Sequence, residues 1–120
     1  MKENKLHQSI SKLITERLAR RAGEKLDSST CSSIYQDIFF TLAEVFKEAQ
    51  TPLCNESVNL LSQMYYDSIK INNTIELDPN IFTQRASLKN IETKEIALLA
   101  TMMNGTTFAP VFIEEVRKRS

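Results

Sequence analysis

Gly23 and Gly105 are the only glycines in 120 residues. A strand-rich chain needs frequent tight turns with positive φ, and such turns lean on glycine and asparagine. A chain this poor in glycine makes few of them. Apolar residues recur instead at three- and four-residue intervals, the period of amphipathic helices. The expected fold class is therefore all-α, a single-domain bundle of four to five helices over residues 1–120. The hydrophobic content of 42% and charged content of 25% belong to an ordinary globular chain, away from disordered and disulfide-scaffold classes. At this length one domain can bury roughly two-thirds of its surface.

The first predicted helix runs from about Lys5 to Lys25, with Leu6, Ile10, Leu13, Ile14, Leu18 and Ala22 on one face. Asp27-Ser28-Ser29 offers caps for a second helix, whose stripe Cys31, Ile34, Ile38, Leu42, Val45 and Ala49 is widened by Tyr35, Phe39 and Phe46. So broad a face belongs to a central helix. Thr51-Pro52 marks the next start, since proline suits a first helical turn and not an interior. The helix that follows should reach about Ile71 and form an antiparallel hairpin with the second. Asn72-Asn73-Thr74 reads as a stop, and Ile75-Glu76-Leu77 as a short extended piece. Asp78-Pro79 should open a short helix through Ile81 and Phe82. A further helix is expected from about Ile91 to Met103, closed by Asn104-Gly105 in a left-handed cap. The last, Val111 to Arg119, ends in three cations that suit the negative end of its dipole.

Catalytic equipment is sparse. His7 is the only histidine, near the N-terminus of a helix that can fray, and is expected to be a solvated surface residue. Glycine-rich phosphate loops are absent. Glu114 and Glu115 point about 100° apart on a helix, as a solvated face does. Glu92 and Glu95 sit near a helix start, where the dipole favours acids. Cys31 and Cys54 lie outside any C-x-x-C spacing and read as small hydrophobes. With one histidine they cannot complete a four-ligand structural zinc site without carboxylates from elsewhere. No enzyme activity, cofactor or metal is expected.

No run approaches the roughly 18 apolar residues of a membrane span. The first residues, Met1 to Lys5, lead straight into a charged segment and lack the apolar core of a secretory signal. A cytoplasmic protein without a membrane partner is the expectation. Fifteen basic and fifteen acidic residues cancel to a net charge of zero, which marks down a protein governed by nucleic-acid electrostatics. The cancellation is uneven. Residues 1–25 carry +4, residues 26–113 carry −5 and residues 114–120 carry +1. Basic ends flank an acidic middle, so opposite-signed regions of two copies could meet.

Three functional readings follow. Phe39-Phe40, Tyr65-Tyr66 and Met102-Met103 place bulky apolar side chains on adjacent positions, so one of each pair should leave the main stripe. Aromatics and methionine are enriched at interfaces. This points to a non-enzymatic interaction protein of regulatory, adaptor or chaperone-like type. It would bury an exposed helix face containing Phe40, Tyr66 and Met103 against a protein partner or, in a homodimer, itself. The alternative is a DNA-binding regulator. Lys94-Glu95-Ile96-Ala97, a turn at residues 104–107 and a basic last helix resemble a helix-turn-helix in outline. Arg117, Lys118 and Arg119, with Arg17, Arg20 and Arg21, would contact nucleic acid. Gly105 falls four residues later than the turn glycine of that motif. A bundle that binds a small molecule is a third reading.

Overall fold

Local capping side chains open the first two helices. Asn4 accepts the His7 N–H at 2.8 Å and opens α1, Lys5–Ala19. Asp27 accepts the Thr30 N–H at 2.8 Å and opens α2, Ser28–Glu48. Helices α3, Asn55–Asn72, α4, Thr93–Met102, and α5, Ala109–Arg119, follow. Single 3-10 turns at Pro79–Ile81 and Leu88–Asn90 lie between α3 and α4. The computed structural model describes residues 4–21, 23–72, 77–82 and 84–120. Among them the fold is all-α, with five α-helices and no strand.

Three limits differ from the sequence expectation. Helix α1 ends at Ala19 rather than near Lys25, because Gly23 adopts φ +90° and Arg21 and Glu24 donate backbone bonds to Leu18 and Arg21 in successive turns. Helix α3 starts at Asn55 rather than at Pro52, because the end of α2 consumes the intervening residues. Gln50 takes φ +55° and donates to the Lys47 carbonyl, while Thr51 donates to Phe46. That is a Schellman closure with glutamine where glycine is usual. The helix expected after Asp78-Pro79 is one 3-10 turn, capped by Asp78 on the Asn80 N–H. The expected Asn73-Thr74 stop and the Ile75-Glu76 extended piece fall outside the described residues, as does Ala22.

Helix α2 occupies the centre, as its broad apolar face implied. Ile38 and Leu42 are buried in the core. One flank meets α1 and the other meets α3. The α2–α3 pairing is antiparallel: Tyr35 near the start of α2 meets Tyr66 near the end of α3, while Phe46 and Val58 share a depression beside the connecting turn. Helices α4 and α5 form a second hairpin, around Gly105 at φ +83°. One apolar core runs through all five helices, from Ile10 through Leu61 and Leu99 to Phe112.

Tyr66 and Met103, expected at an interface, are core residues with no exposed surface. Helix α3 is covered on two sides, so both members of the Tyr65-Tyr66 pair find an interior. Tyr65 packs on His7 and Phe108. Tyr66 packs edge-on against Tyr35 and Phe82 and donates its hydroxyl to the Asp78 carbonyl at 2.8 Å. Met103 receives a long contact from the Tyr65 hydroxyl at 3.9 Å. His7 is likewise no solvated residue. It is partly buried, its Nδ1 lies 2.7 Å from the Tyr65 hydroxyl, and burial lowers its pKa.

Candidate functional site

Successive α2 residues turn by about 100°, so the helix presents separate faces to separate neighbours. Asp37, Thr41 and Glu44 face α1. Arg17 donates to the Thr41 hydroxyl at 2.7 Å and to Glu44 at 2.9 Å. Arg21 donates to Asp37 at 2.9 Å and to the Ser33 hydroxyl at 2.6 Å, and Glu24 closes the group at 3.1 Å. Its bond with Asp37 is the leading reason the Arg21 pKa rises. The basic α1 thus meets the acidic middle of its own chain. These guanidinium groups are already committed to internal carboxylates.

The opposite flank of α2 borders an open groove along the α2–α3 seam. At the connecting turn it is an apolar depression of about 370 Å³ bounded by Phe39, Ala43, Phe46, Leu53 and Val58, with Lys47 on the rim. A second stretch, about 360 Å³, shares Phe39 and Asn55 with the first and adds Glu56 and Asn59. A third, about 250 Å³, shares Asn59 and ends beneath Phe82. Measured along α2 from Ser32 to Lys47, the trough is about 22 Å long at 1.5 Å per residue. Phe40 stands on the outer crest of α2, 64% exposed, its ring edge-on to Phe39 at 6.0 Å. Of the three expected interface residues, it alone offers a surface.

The far end of the groove is polar. Burial pushes the Tyr35 hydroxyl up to about 12, although the polar side chains of Ser62 and Gln63 close to it pull the other way. Tyr35 donates to the Asn59 carbonyl at a long 3.4 Å. Gln63 is only 4% exposed, and its Nε2 has no partner within hydrogen-bond geometry. Neither Gln63 nor Asn59 was singled out from sequence. Together with Asn55 and Asp67 they form one polar row at four-residue spacing along α3, which in the sequence reads as a solvated face.

The remaining cations divide. Arg119 is pinned: it donates to the Leu88 and Ile91 carbonyls at 2.6 and 2.7 Å, to the Thr93 hydroxyl at 3.1 Å, and to Glu115 at 3.3 Å. Arg20, Arg117 and Lys118 are exposed. Arg20, at the C-terminal end of α1, does not share a helix with the other two, and the α5 surface beside Arg117 and Lys118 also carries Val111, Ile113 and Glu114. The six cations expected to contact nucleic acid are therefore not one free basic face.

At the start of α3, Cys54 donates its thiol to Glu95 at 2.7 Å and its backbone N–H at 3.1 Å, and the buried Ser57 hydroxyl donates to the same carboxylate. Burial and the Glu95 bond push the Cys54 thiol up, which disfavours the nucleophilic thiolate. Burial alone would raise the Glu95 carboxyl, but the donors from Cys54 and Ser57 outweigh it and hold it below the usual range. Ser57 has no exposed surface, so the trio serves as a helix cap. Among the described residues no three His, Cys, Asp or Glu side chains cluster to hold a metal. No described helix is long and apolar enough to cross a membrane. Comparison with protein-family models, curated protein sequences and solved structures finds no match to this chain.

Proposed function

We propose that this protein is a non-enzymatic helical interaction module that receives an amphipathic helix of a protein partner, or of a second copy, along the α2–α3 groove. The observation that carries the reading is Phe40, a large aromatic held 64% exposed beside an open apolar trough. An apolar helix laid in a groove buries side chains at three- and four-residue spacing, and a trough of about 22 Å matches roughly four turns of helix. The Phe39–Phe46–Val58 depression would take the main apolar anchor, and Lys47 would favour an acidic neighbour beside it. Regulation, adaptor work or chaperoning are all compatible with such a groove.

Affinity capture from native cells with the wild-type chain, Phe40→Asp and Ala43→Arg tests the proposal. A partner retained by the wild type and lost by both variants is expected, with hydrogen-exchange protection along α2 and α3 in the complex. Self-association by sedimentation with the same mutational pattern would identify the second copy as the occupant. Capture unaffected by the substitutions, or a monomer that captures nothing, overturns the reading. A duplex-DNA role has less behind it, since Arg17, Arg21 and Arg119 already hold internal partners. Salt-dependent duplex binding lost on Arg117→Ala with Lys118→Ala would restore that alternative.

A further inference from the structure

The α4–α5 turn places Asn104 directly before Gly105. Glycine is the neighbour that least obstructs attack of its own nitrogen on an asparagine side chain, because it has no Cβ. Both residues are exposed, and Gly105 turns the chain at φ +83°. The backbone on either side is bonded: the Asn104 N–H donates to the Thr101 carbonyl at 3.3 Å and the Thr106 N–H to that of Met103 at 3.0 Å. The Gly105 N–H between them donates to no group among the described residues. Asn104 accepts a side-chain bond at its backbone carbonyl, while its carboxamide has no partner among the described residues. The electrophilic carbon and the attacking nitrogen are therefore both uncommitted. The other described asparagines differ. Asn4 spends its carboxamide on three bonds, and Asn55, Asn59, Asn80 and Asn90 all precede residues with bulky side chains.

Asn104 is also one half of a link between distant parts of the chain. Asn4 Nδ2 donates to the Met102 carbonyl at 2.8 Å and to the Asn104 carbonyl at 2.7 Å, while its Oδ1 accepts the His7 N–H at 2.8 Å. One carboxamide thus caps α1 and clamps its start to the end of α4. A chemical change at Asn104 acts on the grip that holds the first turn of α1.

We propose that Asn104 is a modification site, where spontaneous deamidation loosens the clamp between α4 and the start of α1. The Gly105 nitrogen gives up its proton and bonds to the side-chain carbonyl carbon of Asn104. The bond from that carbon to the amide nitrogen breaks, ammonia leaves, and a cyclic succinimide remains. Water then adds to either imide carbonyl and opens the ring, giving aspartate or isoaspartate with no change of oxidation state. Either product sets a carboxylate just beyond the C-terminus of α4, where the helix dipole disfavours negative charge. Isoaspartate goes further. It routes the main chain through the side-chain carbons, so the turn gains a methylene and the carbonyl that Asn4 holds becomes a free carboxylate. The site lies outside the α2–α3 groove and does not rest on the protein-partner reading.

Incubation of the full folded chain in warm, mildly alkaline buffer, followed by peptide mapping in a mass spectrometer, tests the chemistry. The mass gain of an amide-to-acid exchange is expected at Asn104 ahead of every other asparagine, with isoaspartate detected by enzymatic carboxyl methylation. The gain should slow several-fold in mildly acidic buffer, because the attacking nitrogen must lose its proton. Asn104→Gln, an exposed substitution that hinders ring closure, should abolish it. Hydrogen exchange then tests the clamp. The His7 and Gln8 N–H groups, which donate to the Asn4 side chain and carbonyl, should exchange several-fold faster in the modified chain. Asn104→Gln incubated in the same way should keep their protection. If Asn104 deamidates in the urea-unfolded chain and stays intact in the folded one, the turn protects it and the proposal fails. Modification chiefly at other asparagines overturns it as well. Complete modification of Asn104 with unchanged exchange at His7 and Gln8 overturns the link to α1.

Discussion

Glu95, in the first turn of α4, closes the N-terminus of α3 from 41 residues away, accepting both the backbone N–H and the thiol of Cys54. A helix start leaves several N–H donors without partners, and here a carboxylate from another helix satisfies one of them. It also places negative charge at the positive end of the α3 dipole. The α3–α4 junction is thereby held by a charge-assisted cap rather than by apolar contact alone.

Replacing that carboxylate should cost stability. Glu95→Ala removes the acceptor of Cys54 and leaves the buried Ser57 hydroxyl only its contact with the Cys54 thiol, for a loss of about 1–3 kcal/mol in urea unfolding. The folded-state pKa of Glu95 lies below its ordinary value of 4.5. Its contribution is therefore present above about pH 4.5 and is lost as pH falls through the lower folded pKa. Glu95→Gln should flatten this acid limb of the stability curve. An unchanged limb would show that the cap carries no linkage.

Gln50 should be an easy position to improve. At φ +55° it holds a left-handed conformation that costs an L-residue about 1–2 kcal/mol and costs glycine far less. After allowance for the extra unfolded-state entropy of glycine, Gln50→Gly should gain about 0.5–1 kcal/mol. Differential scanning calorimetry should register a Tm a few degrees higher, while Gln50→Val should lower it.

His7 should make stability depend on pH near neutrality. Burial depresses its folded pKa below the ordinary 6.5, so the unfolded chain takes up the proton first as pH falls. Stability is then highest above about pH 6.5 and declines down to the folded pKa. Chemical denaturation at pH 7.5 and 5.5 should show the wild type weaker at the lower pH. His7→Gln should lose most of that difference. A larger acid sensitivity in the variant would reverse the sign and sink the explanation.

Phe40 and Tyr66 should respond in opposite ways to the same change. Phe40→Asp alters a crest residue and should shift stability by no more than about 0.5 kcal/mol. Tyr66→Asp buries a charge in the core and should unfold the chain, while Tyr66→Phe keeps the ring, removes the hydroxyl with its bond to Asp78, and should cost about 0.5–1.5 kcal/mol. Circular dichroism melts of the three variants separate surface from core directly.

Most of the helix plan was legible because it depends on neighbours within one turn. Asp27 as a cap, the α2 stripe and the left-handed Gly105 are consequences of spacing and side-chain reach. Errors arose where a local signal met a competing one. Pro52 could have begun α3, but the Schellman closure at Gln50 took the residues around it. Gln63 went unnoticed because a polar residue within a helix is ordinarily solvated, and only the packing of α2 and the 3-10 turn over α3 buries it.

The scarcity of glycine and the three-to-four-residue apolar period determined that this chain is all-α, and nearly determined how many helices it has. They could not say how many sides of each helix would be covered. Tyr65-Tyr66 and Phe39-Phe40 carry the same local pattern, yet one pair is wholly interior and the other leaves Phe40 in solvent. Period is a property of a single helix, whereas burial depends on how many other helices pack around it. The same distinction governs charge. The segment totals suggested basic ends seeking an acidic partner, and only the docking of α1 on α2 brings Arg17 and Arg21 to Glu44 and Asp37 of their own chain.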